Sequence, residues 1–199
     1  MPEQTKQLRC HWANDHALLA SYHDQEWGVP IHSDRQWFEK IILDGAQAGL
    51  SWLTILKKRD AYRAAFHGFD PERVARFSAR DAERLMLNPG IVRNRAKIKS
   101  AVGNAKAFLE LVDQHGSFDA YIWPFADGEP LQNRRKRPED VPAKTPLSDA
   151  ISKDLKRRGF SFVGSTIVYA FMQASGVVND HLVTCFRHRE LAKPYKKRR

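Results

Sequence analysis

A short polar segment follows one of the most apolar stretches of this chain. The apolar stretch covers residues 37–43, and the polar segment is D-G-A-Q-A-G-L-S-W, from Asp44 to Trp52. Burying a carboxylate without a partner is costly, so a carboxylate inside a protein usually has a function. Asp44 and the carboxamide of Gln47 therefore suit a hydrogen-bonding ligand. The alternative is that Asp44 lies near the end of a helix and faces solvent.

Aromatic residues could complete such a site. The candidates around the carboxylate are Tyr22, Trp27, Trp37 and Trp52. Trp27 lies in the turn-rich segment E-W-G-V-P, where helix packing does not require a tryptophan. Flat aromatic faces beside one carboxylate and one carboxamide suit a planar ligand that carries hydrogen-bonding groups and a positive charge. An aromatic-rich core with no ligand is the alternative interpretation.

Four residues near the two ends of the chain have side chains that bind metal ions. They are Cys10, His23, His181 and Cys185. The last two are four residues apart, which predicts that they share one face of a helix. Two cysteines and two histidines suit a tetrahedral, structural zinc site with no open position for catalysis. The alternative is that both cysteines are ordinary buried thiols, which is the commoner case.

A proline–glycine turn joins two predicted helices within about residues 83–111. The free N–H groups at the start of the second helix, with basic side chains beside them, can hold a phosphate. This pattern resembles the helix–hairpin–helix that grips the DNA backbone without reading sequence. The alternative is a turn between two ordinary packed helices. The residues expected to contact DNA here are Gly90, Ile91, Arg93, Arg95 and Lys97.

Composition narrows the class of protein. The chain has 199 residues, of which 42% are hydrophobic, which fits one domain over residues 1–190 and argues against disorder. The net charge of +10 favours a nucleic-acid partner, although it could simply keep the chain soluble. We expect no membrane span and no signal peptide, and a reducing, cytoplasmic location. Residues 191–199 are expected to form a disordered basic tail.

The periodicity predicts an all-α fold. A capping box is expected at Ser33–Gln36, and a long loop at 126–144. No sustained apolar alternation indicates a sheet. The expected helices begin at residues 33, 51, 78, 91, 117, 145 and 165. The helix from 91 is expected to continue to about Leu111, and the helix from 117 to Phe125. The helices from 145 and 165 are expected to end before Gly159 and Gly176.

Taken together, these blocks resemble the DNA-3-methyladenine glycosylase I family, in the helix–hairpin–helix glycosylase superfamily. The resemblance covers about residues 10–185. It rests on R-C-H-W at 9–12, Y-H-D-Q-E-W-G-V-P at 22–30, Q-A-G-L-S-W at 47–52, R-R-G-F and F-V-G at 157–164, and V-N-D-H at 178–181.

The resemblance implies a specific activity and site. A structural zinc held by Cys10, His23, His181 and Cys185 would join segments at about 8–30 and 178–188. The chain, as a monomer, would flip N3-methyladenine out of alkylated double-stranded DNA and hydrolyse its glycosidic bond. Asp44 would be the catalytic carboxylate. The base would stack on Trp52, Tyr22 and Trp27 beside Gln47, and Leu50 would fill the gap in the base stack.

Two positions depart from the family pattern. Asp44 stands where the family usually has glutamate, and Leu19 where it often has tyrosine. The shorter side chain loses about 1.5 Å of reach, roughly one carbon–carbon bond. A DNA-binding homologue without catalysis, or a glycosylase for bulkier N3-alkyl adducts, is therefore the alternative function.

Overall fold

The computed structural model describes residues 8–192. Of the predicted disordered tail at 191–199, residues 193–199 lie outside these described residues, whereas Leu191 is the last residue of a helix. Within the described residues the chain is mostly helical with very little strand, as predicted, and no helix there is long and apolar enough to cross a membrane. The helices are α1 (Ala17–Gln25), α2 (Asp34–Gln47), α3 (Trp52–Ala65), α4 (Pro71–Ala75), α5 (Ala79–Met86), α6 (Arg95–His115), α7 (Phe118–Ile122), α8 (Pro146–Arg157), α9 (Ser165–Ala174) and α10 (Phe186–Leu191).

Helix α2 lies at the centre of the fold. It packs against α3, α6, α7 and α9, and nine of its fourteen residues are buried. The apolar stretch at 37–43 supplies most of this buried surface, which is why the helix is stable inside the molecule. The helix continues through Asp44 and ends at Gln47. The polar segment identified in the sequence is therefore the last turn of a buried helix and the bend that follows it.

Several helix boundaries were predicted correctly from local signals. The side chains of Ser51, Ser78 and Thr145 each accept a hydrogen bond from a backbone N–H in the first turn of α3, α5 and α8. Gly159 and Gly176 follow α8 and α9 with φ of +92° and +75°, a conformation that glycine adopts without strain.

Other local predictions were wrong. Ser33 precedes α2 but makes no capping hydrogen bond, and the neighbouring Asp34 carboxylate accepts a hydrogen bond from the backbone N–H of Phe118. The helix expected from Ile91 begins only at Arg95, and the helix expected through Phe125 tightens into a 3-10 turn at Trp123–Ala126. The expected loop contains strand β1 (Leu131–Gln132), which pairs in parallel with β2 (Val178–Asn179).

Candidate active site and metal cluster

A cavity of about 190 Å³ opens at the C-terminal end of α2. Helices α1, α2, α3 and α9 contribute to it, together with the segments that carry Trp12 and Trp27. The residues that line it are Trp12, Tyr22, Trp27, Asp44, Gln47, Trp52, Ala170, Gln173 and Ala174. The cavity thus combines aromatic faces with one carboxylate and two carboxamides.

Asp44 is the buried charged group of this cavity. Its side chain is 3% exposed, and its Oδ2 atom has no hydrogen-bond partner among residues 8–192. Burial raises the pKa of Asp44 to about 7, and the positive charge of Lys40 opposes that rise. A carboxylate that is buried and unpartnered in this way is poised to accept a hydrogen bond or a positive charge from a ligand. The structure therefore excludes the solvent-facing alternative.

Aromatic rings form the walls of the cavity. The rings of Tyr22 and Trp52 lie 5.2 Å apart at an angle of 50°, and those of Trp12 and Trp27 lie 5.2 Å apart, edge to face. The indole N–H of Trp52 is buried without a hydrogen-bond partner in the described chain. Leu19, buried nearby, packs in one apolar cluster with Tyr22 and Leu56. These walls leave space for a flat ligand between rings.

The structure brings together Tyr22, Trp27, Asp44, Gln47 and Trp52, the five residues expected to contact a base. It does not place Trp37 with them. Trp37 is fully buried among Phe118, Trp123 and Phe171, and its indole donates to Asp119. Seven residues of α-helix separate Trp37 from Asp44 by about 10 Å along the axis, so the two side chains reach different ends of the core.

Sequence reasoning did not single out Trp12 or Gln173 as cavity residues. Trp12 follows the metal-site residue Cys10 by two positions, which offered an indirect signal. Gln173 is the most polar residue of α9, and its side-chain amide donates to the buried carboxylate of Asp180. That bond fixes the orientation of the carboxamide at the cavity wall.

Segments near the two ends of the described chain meet in a buried cluster of four side chains: Cys10, His23, His181 and Cys185. Their ligand atoms all lie within 4.8 Å of one another. Sγ–N distances are 3.4–3.7 Å, and the two histidine nitrogens are 3.2 Å apart. Tetrahedral zinc with ordinary bond lengths gives edges of about 3.3–3.8 Å. The four side chains therefore fit a zinc ion.

The outward-facing nitrogen of each histidine also has a partner. His23 Nδ1 lies 2.8 Å from Asp24, and His181 Nε2 lies 3.0 Å from the backbone oxygen of Trp27. These bonds turn the other nitrogen of each ring towards the cluster, as in known metal sites. The Cys185 pKa is lowered, chiefly by its hydrogen bond with Cys10 and then by the two histidines, which favours a thiolate ligand.

One local prediction about this cluster was wrong. His181 and Cys185 do not share a helix face, because residues 181–185 form a turn and α10 begins only at Phe186. The turn is closed by a hydrogen bond from the Cys185 N–H to Leu182 and is anchored by another from Val183 to Arg135. A spacing of four residues brings two side chains together in a tight turn as well as in a helix.

The proline–glycine turn packs closely against α3. A Cβ at Gly90 would lie 2.7 Å from the Cβ of Ala61, so only glycine fits without a shift. The Gly90 N–H donates to Asn88, and Ile91 is buried in the core. Gly90 and Ile91, two of the predicted DNA contacts, therefore already have a hydrogen bond or packing contacts within the protein. Arg93 is exposed and forms no ion pair within residues 8–192.

The two remaining basic residues of this region differ from each other. Arg95 is exposed and pairs with Glu83 on α5. Lys97 points inward instead, and its ammonium group donates to the carbonyls of Ala46 and Ala48 at 2.8 and 2.7 Å. The predicted phosphate contact of Lys97 is corrected on this basis, since the group already holds the bend after α2. Leu50, at the outer side of that bend, is 40% exposed.

Comparison with known proteins agrees with this arrangement. The family model for methyladenine glycosylase matches residues 12–188. The chain belongs to the methyladenine glycosylase family. The match covers the cavity, the hairpin and three of the four residues of the metal cluster, with Cys10 two residues outside it.

Members of the methyladenine glycosylase family share most of this chain's length. DNA-3-methyladenine glycosylase 1 of Escherichia coli (strain K12) is 49% identical over 177 residues, which cover 89% of this chain and 95% of that protein. A crystal structure of 3-methyladenine DNA glycosylase I is 50% identical, with a TM-score of 0.86, and the match covers 90% of this chain and 98% of that one.

A further structural relative was solved in a study of its ligand, 3-methyladenine. It is the 3-methyladenine DNA glycosylase I of Staphylococcus aureus, solved to explain how that enzyme recognises 3-methyladenine. It is 37% identical, with a TM-score of 0.86, and the match covers 89% of this chain and 94% of that one.

Proposed function

We propose that this protein is a monofunctional DNA glycosylase that hydrolyses the N-glycosidic bond of N3-methyladenine in alkylated double-stranded DNA. The observation that carries this proposal is the buried, unpartnered carboxylate of Asp44 in an aromatic cavity of a methyladenine glycosylase. The cavity holds a flat base between rings, and the carboxylate favours a base with a positive charge.

Hydrolysis of this glycosidic bond does not require a strong general acid or general base. N3-methyladenine carries a positive charge in DNA, so it leaves readily. Water adds to C1′ of the sugar and gives up one proton to solvent, the bond from C1′ to the base nitrogen breaks, and its electron pair neutralises the departing base. The protein has to unstack the nucleotide, at an expense of a few kcal/mol, and hold it in the cavity. Asp44 and the rings of Tyr22, Trp27 and Trp52 supply that binding.

Leu50 and the start of α6 form the proposed DNA-binding face. Leu50 is exposed at the bend that ends in the cavity, and Lys97 ties this bend to the first turn of α6. The exposed Leu50 side chain would fill the space that the flipped base leaves. The free N–H groups at the start of α6, with Arg93 and Arg95, would contact phosphates near the lesion.

The four-residue cluster is proposed to hold one structural zinc ion. Four protein ligands leave no open position, so the ion would stabilise the fold and take no part in hydrolysis. His23 follows Tyr22 directly, and His181 binds the backbone of Trp27, so the cluster supports two walls of the cavity. Zinc would thereby join segments 8–30 and 178–188 of a single domain, which we propose acts as a monomer in the cytoplasm.

Release of methyladenine from alkylated duplex DNA tests the proposed function. We expect wild-type protein to release the base, and Asp44→Asn to lower kcat/KM by about 10²–10³-fold because it removes a preorganised charge. Asp44→Glu is expected to retain activity, because a longer carboxylate still reaches the base. Asp60→Asn, which neutralises a 96% exposed carboxylate on α3, is the matched control and should not change the rate.

Two results would contradict the proposal. Equal rates for wild type and Asp44→Asn would exclude the role of this carboxylate. A protein that retards methylated DNA in a gel but frees no base would be a binding protein without glycosylase activity.

A further inference from the structure

Lys40 is a buried lysine one helical turn before Asp44. It is 8% exposed, and residues four apart in a helix lie on the same face. Buried lysines are rare in proteins unless they are paired, since burial disfavours the ammonium form. Lys40 belongs to none of the residue sets that the sequence motifs identified. Its position next to the cavity therefore calls for an explanation.

The ammonium group of Lys40 has fixed surroundings. It lies 4.9 Å from the centroid of the Tyr22 ring, which lines the cavity, and 3.9 Å from a carboxylate oxygen of Glu26. Glu26 is itself held by Arg59 at 2.6 Å. A π face and a carboxylate both favour the charged form of an amine. Burial lowers the pKa of Lys40, whereas the carboxylates of Asp44 and Glu26 oppose that fall and favour the ammonium form against the Tyr22 ring.

Few other charges face Asp44. Helix α9, which packs against α2, carries no charged residue, and the Lys97 ammonium on α6 is bound to backbone carbonyls. Asp119 on α7 bonds Trp37, about two turns away. The other charged groups that act on Lys40 are Glu26, Glu39 and Arg59. Lys40 is the charge that acts on the pKa of Asp44, in opposition to burial.

We propose that Lys40 is a positioning residue for Asp44: its buried ammonium, fixed between Tyr22 and Glu26, holds the Asp44 side chain as a carboxylate ready for a cationic base. This inference rests on the proposed function of Asp44. Lys40 is not among the residues that line the cavity, so its ammonium group acts through Asp44 and not by contact with the base. Glu26 offsets its charge, which limits repulsion of the cationic base.

The test compares the pH dependence of kcat/KM for methyladenine release. Lys40→Met keeps the packing of the aliphatic stem and removes the charge, and Glu26 retains Arg59 as its partner. We expect the acidic limb of the profile to move to higher pH. The rate at pH 6 should fall about tenfold, as expected when loss of a neighbouring positive charge raises the pKa of a carboxyl group, and the plateau near pH 9 should stay.

Control variants separate the charge from the packing. Lys40→Arg should restore the wild-type profile, and Lys40→Gln should reproduce the shift with a polar side chain. Lys40, Glu26 and Arg63 line a second cleft, separate from the cavity of Asp44. Arg63→Met removes a positive charge from this cleft, where Arg63 pairs with Glu39, and should leave the profile unchanged. Thermal unfolding of each variant shows whether it folds.

A direct titration makes the test independent of catalysis. The carbon-13 signal of the Asp44 carboxylate, assigned by its loss in Asp44→Asn, should titrate at higher pH in Lys40→Met than in wild type. An unchanged titration and an unchanged pH profile would overturn the role of Lys40. Absence of methyladenine release by wild type at every pH would instead overturn the proposed function, while the titration would still decide the coupling of Lys40 to Asp44.

Discussion

At the residue scale, the decisive feature is a carboxyl group whose charge state depends on its surroundings. Asp44 is desolvated by its position in α2, and Lys40 partly compensates for that burial. Its pKa of about 7 means that the site gains its negative charge near neutral pH. Such a group binds a cationic base better as pH rises, and it is neutral in acid.

The same burial predicts how stability depends on pH. The pKa of Asp44 is raised from 3.8 in the unfolded chain to about 7 in the folded protein. Its contribution to stability is therefore fully present below about pH 4 and is lost as pH rises to about 7. We expect the free energy of unfolding of wild type, relative to Asp44→Asn, to fall by about 1.4 kcal/mol per pH unit in this range.

Urea unfolding of both proteins at several pH values between 5 and 8 measures this difference. Other titrating groups, including the metal cluster, are common to both proteins and cancel in the comparison. A difference that stays constant between pH 5 and 7 would contradict the raised pKa of Asp44.

At the element scale, the site depends on how the end of α2 is held. The last turn of a helix has backbone carbonyls without helical partners, and a cation there satisfies them. Lys97 on α6 reaches the carbonyls of Ala46 and Ala48, so it joins the bend after α2 to the hairpin region. This single side chain couples the cavity to the proposed DNA-binding face.

We therefore expect Lys97→Met to lower activity by loosening the bend after α2 and not by removing a phosphate contact. Loss of the two hydrogen bonds should lower the free energy of unfolding by about 1 kcal/mol and reduce kcat/KM several-fold, because the bend between Gln47 and Trp52 loosens. Lys99→Met, which removes an exposed charge two residues away, is the control and should not lower Tm. Equal loss of DNA affinity in both variants, with unchanged Tm, would indicate that Lys97 binds phosphate instead.

At the scale of the whole molecule, the metal cluster connects the two ends of the described chain to the cavity. Cys10 and His23 come from the start, and His181 and Cys185 from the end. His181 also holds the carbonyl of Trp27, so loss of the ion should disturb the cavity as well as the fold. We expect purified protein to contain one zinc ion per chain.

Chelation tests this arrangement. Removal of zinc should lower Tm by about 10 °C or more, since structural zinc contributes several kcal/mol to folding, and added zinc should restore it. The near-ultraviolet circular dichroism of Trp12 and Trp27 should change with it. Cys10→Ala should lose the response to the chelator. Protein that contains no zinc, with the same Tm before and after chelation, would contradict the proposal.

The sequence by itself determined the helical class, several helix boundaries, the four candidate metal ligands and most of the cavity. Those features depend on short-range signals or on residue types that have few other uses. Ser51, Ser78 and Thr145 cap helices through bonds to neighbours three residues away, and the helix stop at Gly176 depends on its own φ. The family motifs added the order in which these parts meet.

Only the tertiary structure decided which of these groups are neighbours, and therefore their chemistry. It moved Trp37 into the core, added Trp12 and Gln173 to the cavity, turned Lys97 inward and buried Lys40 one helical turn from Asp44. A Cβ at Gly176 would lie 2.3 Å from Pro30, a contact that no local pattern contains. Desolvation and charge pairing depend on residues distant in sequence, so the pKa of Asp44 is a property of the folded molecule.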